Sequence, residues 1–129
     1  MLDEQTHVPP LEALQPVADA ADVLRLAAAA REIYVEDSLS RYVVALVRAT
    51  RADDRLYLGA SPRAGIALLR VAKARALAEG RDYLVPDDVK AVATPVLAHR
   101  LILAPEARAA GLGGPELVAE ALERTPVPV

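Results

Sequence analysis

Arg63 is the residue whose type and position best suit binding chemistry in this chain. It follows Gly59, Ser61 and Pro62 in a run that is typical of the start of a long helix. Gly59 can supply a backbone conformation closed to other residues, Ser61 has the side-chain oxygen preferred at an N-cap, and Pro62 suits the first helical position. A cation in the first turn opposes the helix dipole, at a cost of about 0.3–1 kcal/mol. A bound anion would remove that cost, because free N–H groups and the guanidinium would face the same negative charge.

The helix that carries Arg63 is predicted to run from residue 62 to about 79 and to end at Gly80. One face, expected in the core, carries small and aliphatic residues: Gly65, Leu68, Leu69, Ala72 and Ala76. Arg63 falls roughly opposite this face. We therefore expect its side chain to point away from the core, toward solvent or another domain.

Another helix, capped by Asp37 or Ser38, is the clearest in the sequence. Its amphipathic face consists of Leu39, Tyr42, Val43, Leu46 and Val47. The opposite face carries three arginines, Arg41, Arg48 and Arg51. A solvated basic face is the ordinary interpretation of these arginines, and Thr50 and Arg51 are predicted to be structural or interface residues.

The remaining segments predict an all-α bundle of four or five helices. A first helix is expected from Asp19 or Asp22 to about residue 33, a fourth from residue 86, and a last one over 115–124. Pro95 should kink the fourth helix or end its regular part. Segments 33–36 and 83–85 are predicted to be extended and could pair as a very short β-bridge.

Composition excludes several kinds of function. The 129 residues contain no cysteine, so disulfides, thiolate metal sites and thiol catalysis are ruled out. A formal net charge of -3 gives no general attraction to nucleic acid or an anionic membrane. We expect a soluble, cytoplasmic protein, since the apolar runs are short and broken by charge and no signal peptide is apparent.

Other polar residues do not form a catalytic or metal site in the sequence. His99 lies at a predicted helix end, where a capping or packing role is the better interpretation. The acid pairs at residues 53–54 and 87–88 are adjacent at helix ends and are interpreted as caps. We therefore predict no catalytic residue and no metal ligand in this chain.

Four segments together resemble the C-terminal lid domain of the MoxR family of AAA+ ATPases. They are residues 42–51 (YVVALVRATR), 58–64 (LGASPRA), 83–89 (YLVPDDV) and 96–100 (VLAHR). They occur in the family's order, and the resemblance extends over most of the chain. It implies a linker to an absent nucleotide-binding domain at residues 1–16 and a helical lid domain at 17–129.

The resemblance implies a role for Arg63. The segment Gly-Ala-Ser-Pro-Arg-Ala is similar to the family's sensor-2 motif, whose arginine reaches the γ-phosphate of ATP in the neighbouring nucleotide-binding domain of the same subunit. That arginine would be Arg63, supported by Gly59, Ser61 and Pro62. The family further implies ATP and Mg²⁺ in the parent protein, a homo-oligomeric ring that is often a hexamer, and remodelling of partners that can include von Willebrand factor A domain proteins. The sequence has no GxxxxGK[ST] phosphate loop, so we expect no ATP hydrolysis by this chain alone.

Two other functions stay open at this point. The chain could be a stand-alone helical interaction adaptor, or a nucleic-acid-binding domain that uses Arg63, Arg70, Lys73 and Arg75. Overall acidity counts against the second. Arg63 itself could be a surface arginine paired with Asp53, Asp54 or another acid, an interaction worth about 0–1 kcal/mol.

Overall fold

A computed structural model describes residues 14–128. It contains six α-helices: α1 Ala20–Glu32, α2 Asp37–Arg51, α3 Pro62–Ala78, α4 Pro86–Leu97, α5 Pro105–Ala109 and α6 Gly114–Arg124. The strands β1, Leu56–Leu58, and β2, Ile102–Leu103, pair antiparallel. These elements confirm the predicted all-α class. One more helix than expected is present, because residues 105–109 form a short helix of their own.

The centre of the bundle is the contact between α3 and α4. Small side chains allow these helices to approach closely: Ala64, Ala72 and Ala76 of α3 and Ala93 of α4 are fully buried. The predicted core face of α3 is confirmed, except that Leu69 is only half-buried. An alanine-rich sequence therefore builds this core through close helix packing rather than through large side chains.

Helix α2 buries the face that the sequence predicts. All five residues of that face belong to the core, and Leu46 has no exposed surface. The arginines on the opposite face are exposed. Glu36 occupies the N-cap position, one residue before the predicted cap, and makes no side-chain capping hydrogen bond.

Helix α1 begins as predicted but does not bury an apolar face. Asp19 caps it by accepting a hydrogen bond from the N–H of Asp22 at 2.7 Å. None of its residues is buried, and Val23 and Leu26 are 60% and 59% exposed. Only Ile33, just beyond its end, enters the core. The apolar residues of α1 therefore lie on an open surface of the described part of the chain.

The predicted bridge between the two extended segments is confirmed. Tyr34 and Tyr83 form a parallel β-bridge, with hydrogen bonds from Tyr34 N–H to Asp82 O at 2.8 Å and from Leu84 N–H to Tyr34 O at 2.9 Å. The pairing of β1 with β2 was not predicted. This pairing holds the segment that leads into α3, because β1 ends at Leu58 and α3 begins at Pro62.

The C-terminal ends of α3 and α4 agree with the sequence. Gly80 ends α3 with φ +73°, and the N–H of Arg81 bonds to Ala76 O at 2.9 Å, as expected for a glycine C-cap. Helix α4 continues two residues beyond Pro95 and then tightens into a 3₁₀ helix at Ala98–Arg100. Most of the predicted linker, residues 1–16, lies outside the described residues, and the helical part begins at Ala20.

Candidate functional site

Arg63 stands in the first turn of α3, as predicted. Ser61 is the N-cap, and its hydroxyl accepts a hydrogen bond from the N–H of Ala64 at 3.2 Å. Pro62 occupies the first helical position, so Arg63 is the second helical residue. Its side chain is exposed, whereas Ala64 and Gly65 next to it are buried. The local sequence thus holds a guanidinium outside the core at a helix N-terminus.

Gly59 supports this helix start for a different reason from the one predicted. Its φ is not positive, so the prediction of a conformation closed to other residues is wrong. The backbone of α2 instead passes directly against it. A Cβ at this position would lie 2.7 Å from Arg51 Cα and 2.7 Å from Thr50 O, closer than real Cβ contacts. Glycine is needed here because of close approach, which lets the segment before α3 lie on the end of α2.

Thr50 makes the second connection between α2 and the start of α3. Its hydroxyl donates to Val47 O at 2.7 Å and accepts from the N–H of Ala60 at 3.0 Å. The residue is 1% exposed. This geometry gives Thr50 the structural role that was one of its two predicted roles. A threonine near a helix end often bonds through its hydroxyl to a carbonyl of its own helix, and this contact can be expected from sequence. The second partner, the N–H of Ala60, cannot be identified from sequence because it belongs to another segment.

The alternative in which Arg63 pairs with a nearby acid is wrong for the described residues. Asp53 is engaged by Arg55 and Arg124, and no ion pair joins Arg63 to Asp53, Asp54 or any other residue between 14 and 128. The guanidinium of Arg63 is therefore not compensated by the described part of its own domain.

Asp53 is a buried ion-pair centre rather than a simple cap. Arg55 donates to it through Nε at 2.9 Å and Nη2 at 2.8 Å, and Arg124 donates through Nη2 at 2.8 Å. Arg55 also bonds to Glu120 at 2.5 Å. The side-chain hydrogen bond from Arg55 holds the pKa of the Asp53 carboxyl well below its usual range. This cluster ties the turn before β1 to α6, and spacing along the sequence could not have shown it.

Asp88 combines the predicted cap with an ion pair that was not predicted. It accepts the N–H of Val85 at 3.0 Å at the start of α4, and Arg81 donates to both its carboxylate oxygens at 2.7 Å. The residue is 1% exposed. The side-chain hydrogen bonds from Arg81 lower the pKa of Asp88, and this lowering outweighs the opposing effect of burial. Asp87 beside it is exposed.

His99 is exposed at the end of α4, so of the two predicted roles, capping and packing, its contact fits capping. Its Nδ1 is 3.1 Å from the carbonyl oxygen of Pro95, within hydrogen-bond distance at the end of α4. In the part of the chain covered by the structure, no group of three or more acidic or histidine side chains is arranged to hold a metal ion. No helix among residues 14–128 has both the length and the apolar character needed to cross a bilayer.

The chain matches known proteins over most of its length. A family model described as AAA lid domain covers residues 48–121. The chain is 38% identical to the uncharacterized protein YeaC of Bacillus subtilis strain 168, over 99% of this chain and 39% of YeaC. It is 39% identical to the chaperone MoxR1 of Mycobacterium tuberculosis, over 86% of this chain and 31% of MoxR1. A crystal structure of a "putative ATPase" from Cytophaga hutchinsonii matches with a TM-score of 0.83 and 35% identity, over 89% of this chain and 38% of that protein.

The match to the family model shows that the chain belongs to the AAA lid domain family. The relatives include the chaperone MoxR1, and the structural match is a putative ATPase, so the resemblance to the lid of MoxR-family proteins is confirmed. The chain spans between 31% and 39% of the length of the curated relatives named above. The nucleotide-contacting role of Arg63, Gly59, Ser61 and Pro62 stays a prediction.

Proposed function

We propose that this lid closes over ATP held by the nucleotide-binding domain of its own subunit, with Arg63 contacting the γ-phosphate. One observation carries the proposal. Arg63 is an exposed arginine at a helix N-terminus, without an ion-pair partner among the described residues, and the segment before it is locked in place by Thr50 and Gly59. An uncompensated cation whose backbone is held beside helical N–H groups suits a phosphate.

The residues present fit the phosphate part of a nucleotide site but not its metal part. A guanidinium supplies a planar fork of donors for phosphate oxygens. The described residues offer no acidic cluster of the kind that holds Mg²⁺. Mg²⁺ and most phosphate contacts would therefore be supplied by the rest of the parent protein, where the metal neutralises charge on the phosphates. The lid would bind and orient the γ-phosphate from the other side.

Loss of the γ-phosphate gives the lid a way to respond to hydrolysis. ATP and ADP differ in the group that Arg63 would contact, so the closed position of the lid would be stabilised more by ATP than by ADP. In a ring of such subunits, which in this family is often a hexamer, that difference would drive the remodelling or activation of partner proteins. Proteins with von Willebrand factor A domains are the partners that we propose, and a cytoplasmic location stays a prediction.

The test is ATP turnover by the parent protein carrying Arg63→Ala. We expect kcat/KM to fall by at least about tenfold, equivalent to about 1.4 kcal/mol of lost transition-state stabilisation. The lid itself should remain folded, because the Arg63 side chain is exposed and makes no ion pair within residues 14–128.

Arg100→Ala is the matched control, since Arg100 is also exposed and lies in the 3₁₀ helix after α4. Turnover at the wild-type rate in both variants would refute the assignment of Arg63. Loss of turnover together with a lower melting temperature of the Arg63 variant would indicate a folding effect instead.

A further inference from the structure

Two apolar grooves flank the outer surface of α3. One lies between α1 and α3 and has a volume of about 510 Å³, and the other lies between α2 and α3 and has a volume of about 480 Å³. Ile66 and Leu69 line both of them. We call the combined surface the α3 groove. It extends from Ala30 of α1 across Ile66 and Leu69 to Val44 of α2.

The floor of the α3 groove consists of aliphatic side chains that the domain leaves accessible. Ile66 is 55% exposed and Val44 is 51% exposed, although both belong to helices that contribute to the core. Adjacent exposed aliphatic residues of this kind mark interaction surfaces more often than single ones do.

Every charged residue that lines the α3 groove is basic. Three come from the α1 side and two from the α2 side: Arg31, Arg70, Lys73, Arg48 and Arg51. The four arginines take part in no ion pair within residues 14–128, whereas Arg55, Arg81 and Arg124 elsewhere are paired. Lys73 donates to Arg31 O at 2.7 Å. The rim is therefore an uncompensated positive surface on a chain whose formal net charge is -3.

We propose that the α3 groove binds an acidic amphipathic helix of a partner protein. Apolar side chains of that helix would lie on Ile66, Leu69 and Val44, and its carboxylates would meet the arginines of the rim. The lining on α2 extends from Ser40 to Arg51, which is about 16 Å or three helical turns at 1.5 Å per residue. This length suits a helix anchored by residues at i, i+3 or i+4, and i+7.

Nucleic acid fits the α3 groove less well. Phosphates would satisfy the arginines but would leave the aliphatic floor without a partner, and none of the described residues that line the two grooves is an aromatic one suited to base stacking. Arg63 does not line either groove. The side chains proposed to dock the partner are therefore distinct from Arg63, although Pro62 beside it lines the groove between α2 and α3.

The test uses the full chain and a helix-forming peptide of about 16 residues, with Leu at the anchor positions and Glu at the helix positions that flank them on both sides. Binding is measured by fluorescence anisotropy. We expect the double variant Arg48→Glu, Arg70→Glu to weaken binding at least about tenfold, because attraction at two rim positions becomes repulsion. Arg100→Glu, which makes the same charge change outside the groove, should leave affinity within about twofold.

A second variant separates the apolar floor from the charged rim. Ile66→Ser removes half-exposed aliphatic surface and should weaken peptide binding while the helical circular dichroism and melting curve stay close to wild type. Raising the salt concentration from about 50 to 300 mM should weaken binding to the wild type and have less effect on the double charge variant.

Several results would overturn the proposal. One is equal affinity for a peptide in which every Glu is replaced by Lys, and another is no binding at about 1 mM peptide. Tighter binding of a DNA duplex of similar length would assign the surface to nucleic acid. Dimerisation that Ile66→Ser abolishes would assign it to a second copy. Failure of the parent protein to bind a peptide that the isolated chain binds would assign it to the parent's other domain.

Discussion

Arg63 depends on residues outside its own helix for its position. The hydroxyl of Thr50 joins the last turn of α2 to the N–H of Ala60, and Gly59 lets the two backbones touch. Neither residue needs to contact a ligand to influence one. Displacement of this helix start would move Arg63 relative to anything that it contacts, and small misplacements of a binding group are costly.

Replacement of Thr50 tests this connection. Thr50→Val keeps the shape of the side chain but leaves the buried N–H of Ala60 without its acceptor, so we expect a loss of about 1–3 kcal/mol in the free energy of unfolding. Thr50→Ser keeps the hydroxyl and should lose only about 1 kcal/mol for the missing methyl group. Urea unfolding of the isolated chain measures both. Equal losses in the two variants would contradict a specific role for the hydroxyl.

Single residues also show where sequence reasoning reaches its limit. Ser61, Pro62 and Gly80 act through their own backbone or the next turn, so their roles could be predicted. The importance of Gly59 could be predicted, but not its physical reason. Gly59 is in contact with the backbone of α2, and a tertiary contact of this kind does not show in the local sequence. Asp53 was interpreted as a cap because Arg124, 71 residues away, cannot be recognised from local spacing.

At the scale of elements, α1 and α2 show why helical periodicity does not measure burial. Both helices have apolar residues at helical spacing, yet α2 buries its face and α1 buries none of its residues. The difference lies in the partners, since α2 packs between α3 and α6, whereas α1 lies on the outside of α3. The existence of the longer helices and the approximate positions of their ends were therefore predictable, but the short helix at 105–109, the N-cap of α2 and the arrangement of helices in space were not.

A matched pair of substitutions measures this difference. Leu46→Ala in α2 should lower the free energy of unfolding by about 2–5 kcal/mol, since Leu46 has no exposed surface. Leu26→Gln in α1 should change it by no more than about 0.5 kcal/mol, since Leu26 is 59% exposed. Both values come from denaturant unfolding of the isolated chain. A large loss in the α1 variant would mean that this helix packs more tightly than the structure indicates.

At the scale of the whole molecule, two carboxylate clusters hold the connections between helices in place, and that of Asp53 reaches 71 residues along the chain to Arg124. Asp53 links the turn before β1 to α6, and Asp88 links the end of the α3–α4 connection to the start of α4. Hydrogen bonds from arginine side chains lower the pKa of both carboxyls. Their ionised forms are therefore favoured in the folded state more than in the unfolded chain.

The sign of this shift predicts how stability depends on pH. A carboxyl whose folded pKa is lowered contributes stability above its unfolded pKa of about 3.9, and that contribution is lost as pH falls through the folded value. We expect the free energy of unfolding to fall steadily below about pH 4. Asp53→Asn should make this acid-side slope shallower. Asp54→Asn is the matched control, because its carboxylate forms no ion pair within the described residues. Identical slopes in wild type and the Asp53 variant would contradict a role for this ion pair.

The proposed activity needs more than the lid, and this chain spans only 31% to 39% of the length of its curated relatives. The contact proposed for Arg63 is specific to the γ-phosphate. Removal of the arginine should therefore weaken the binding of ATP much more than the binding of ADP. This predicted selectivity distinguishes a phosphate sensor from a residue that only stabilises the lid.

The most direct measurement compares the affinity of the parent protein for a non-hydrolysable ATP analogue and for ADP, with and without Arg63→Ala. We predict that the variant binds the analogue at least about tenfold more weakly, a change of about 1.4 kcal/mol, while its affinity for ADP stays within about twofold. Equal changes for the two nucleotides, or no change for either, would contradict the central claim.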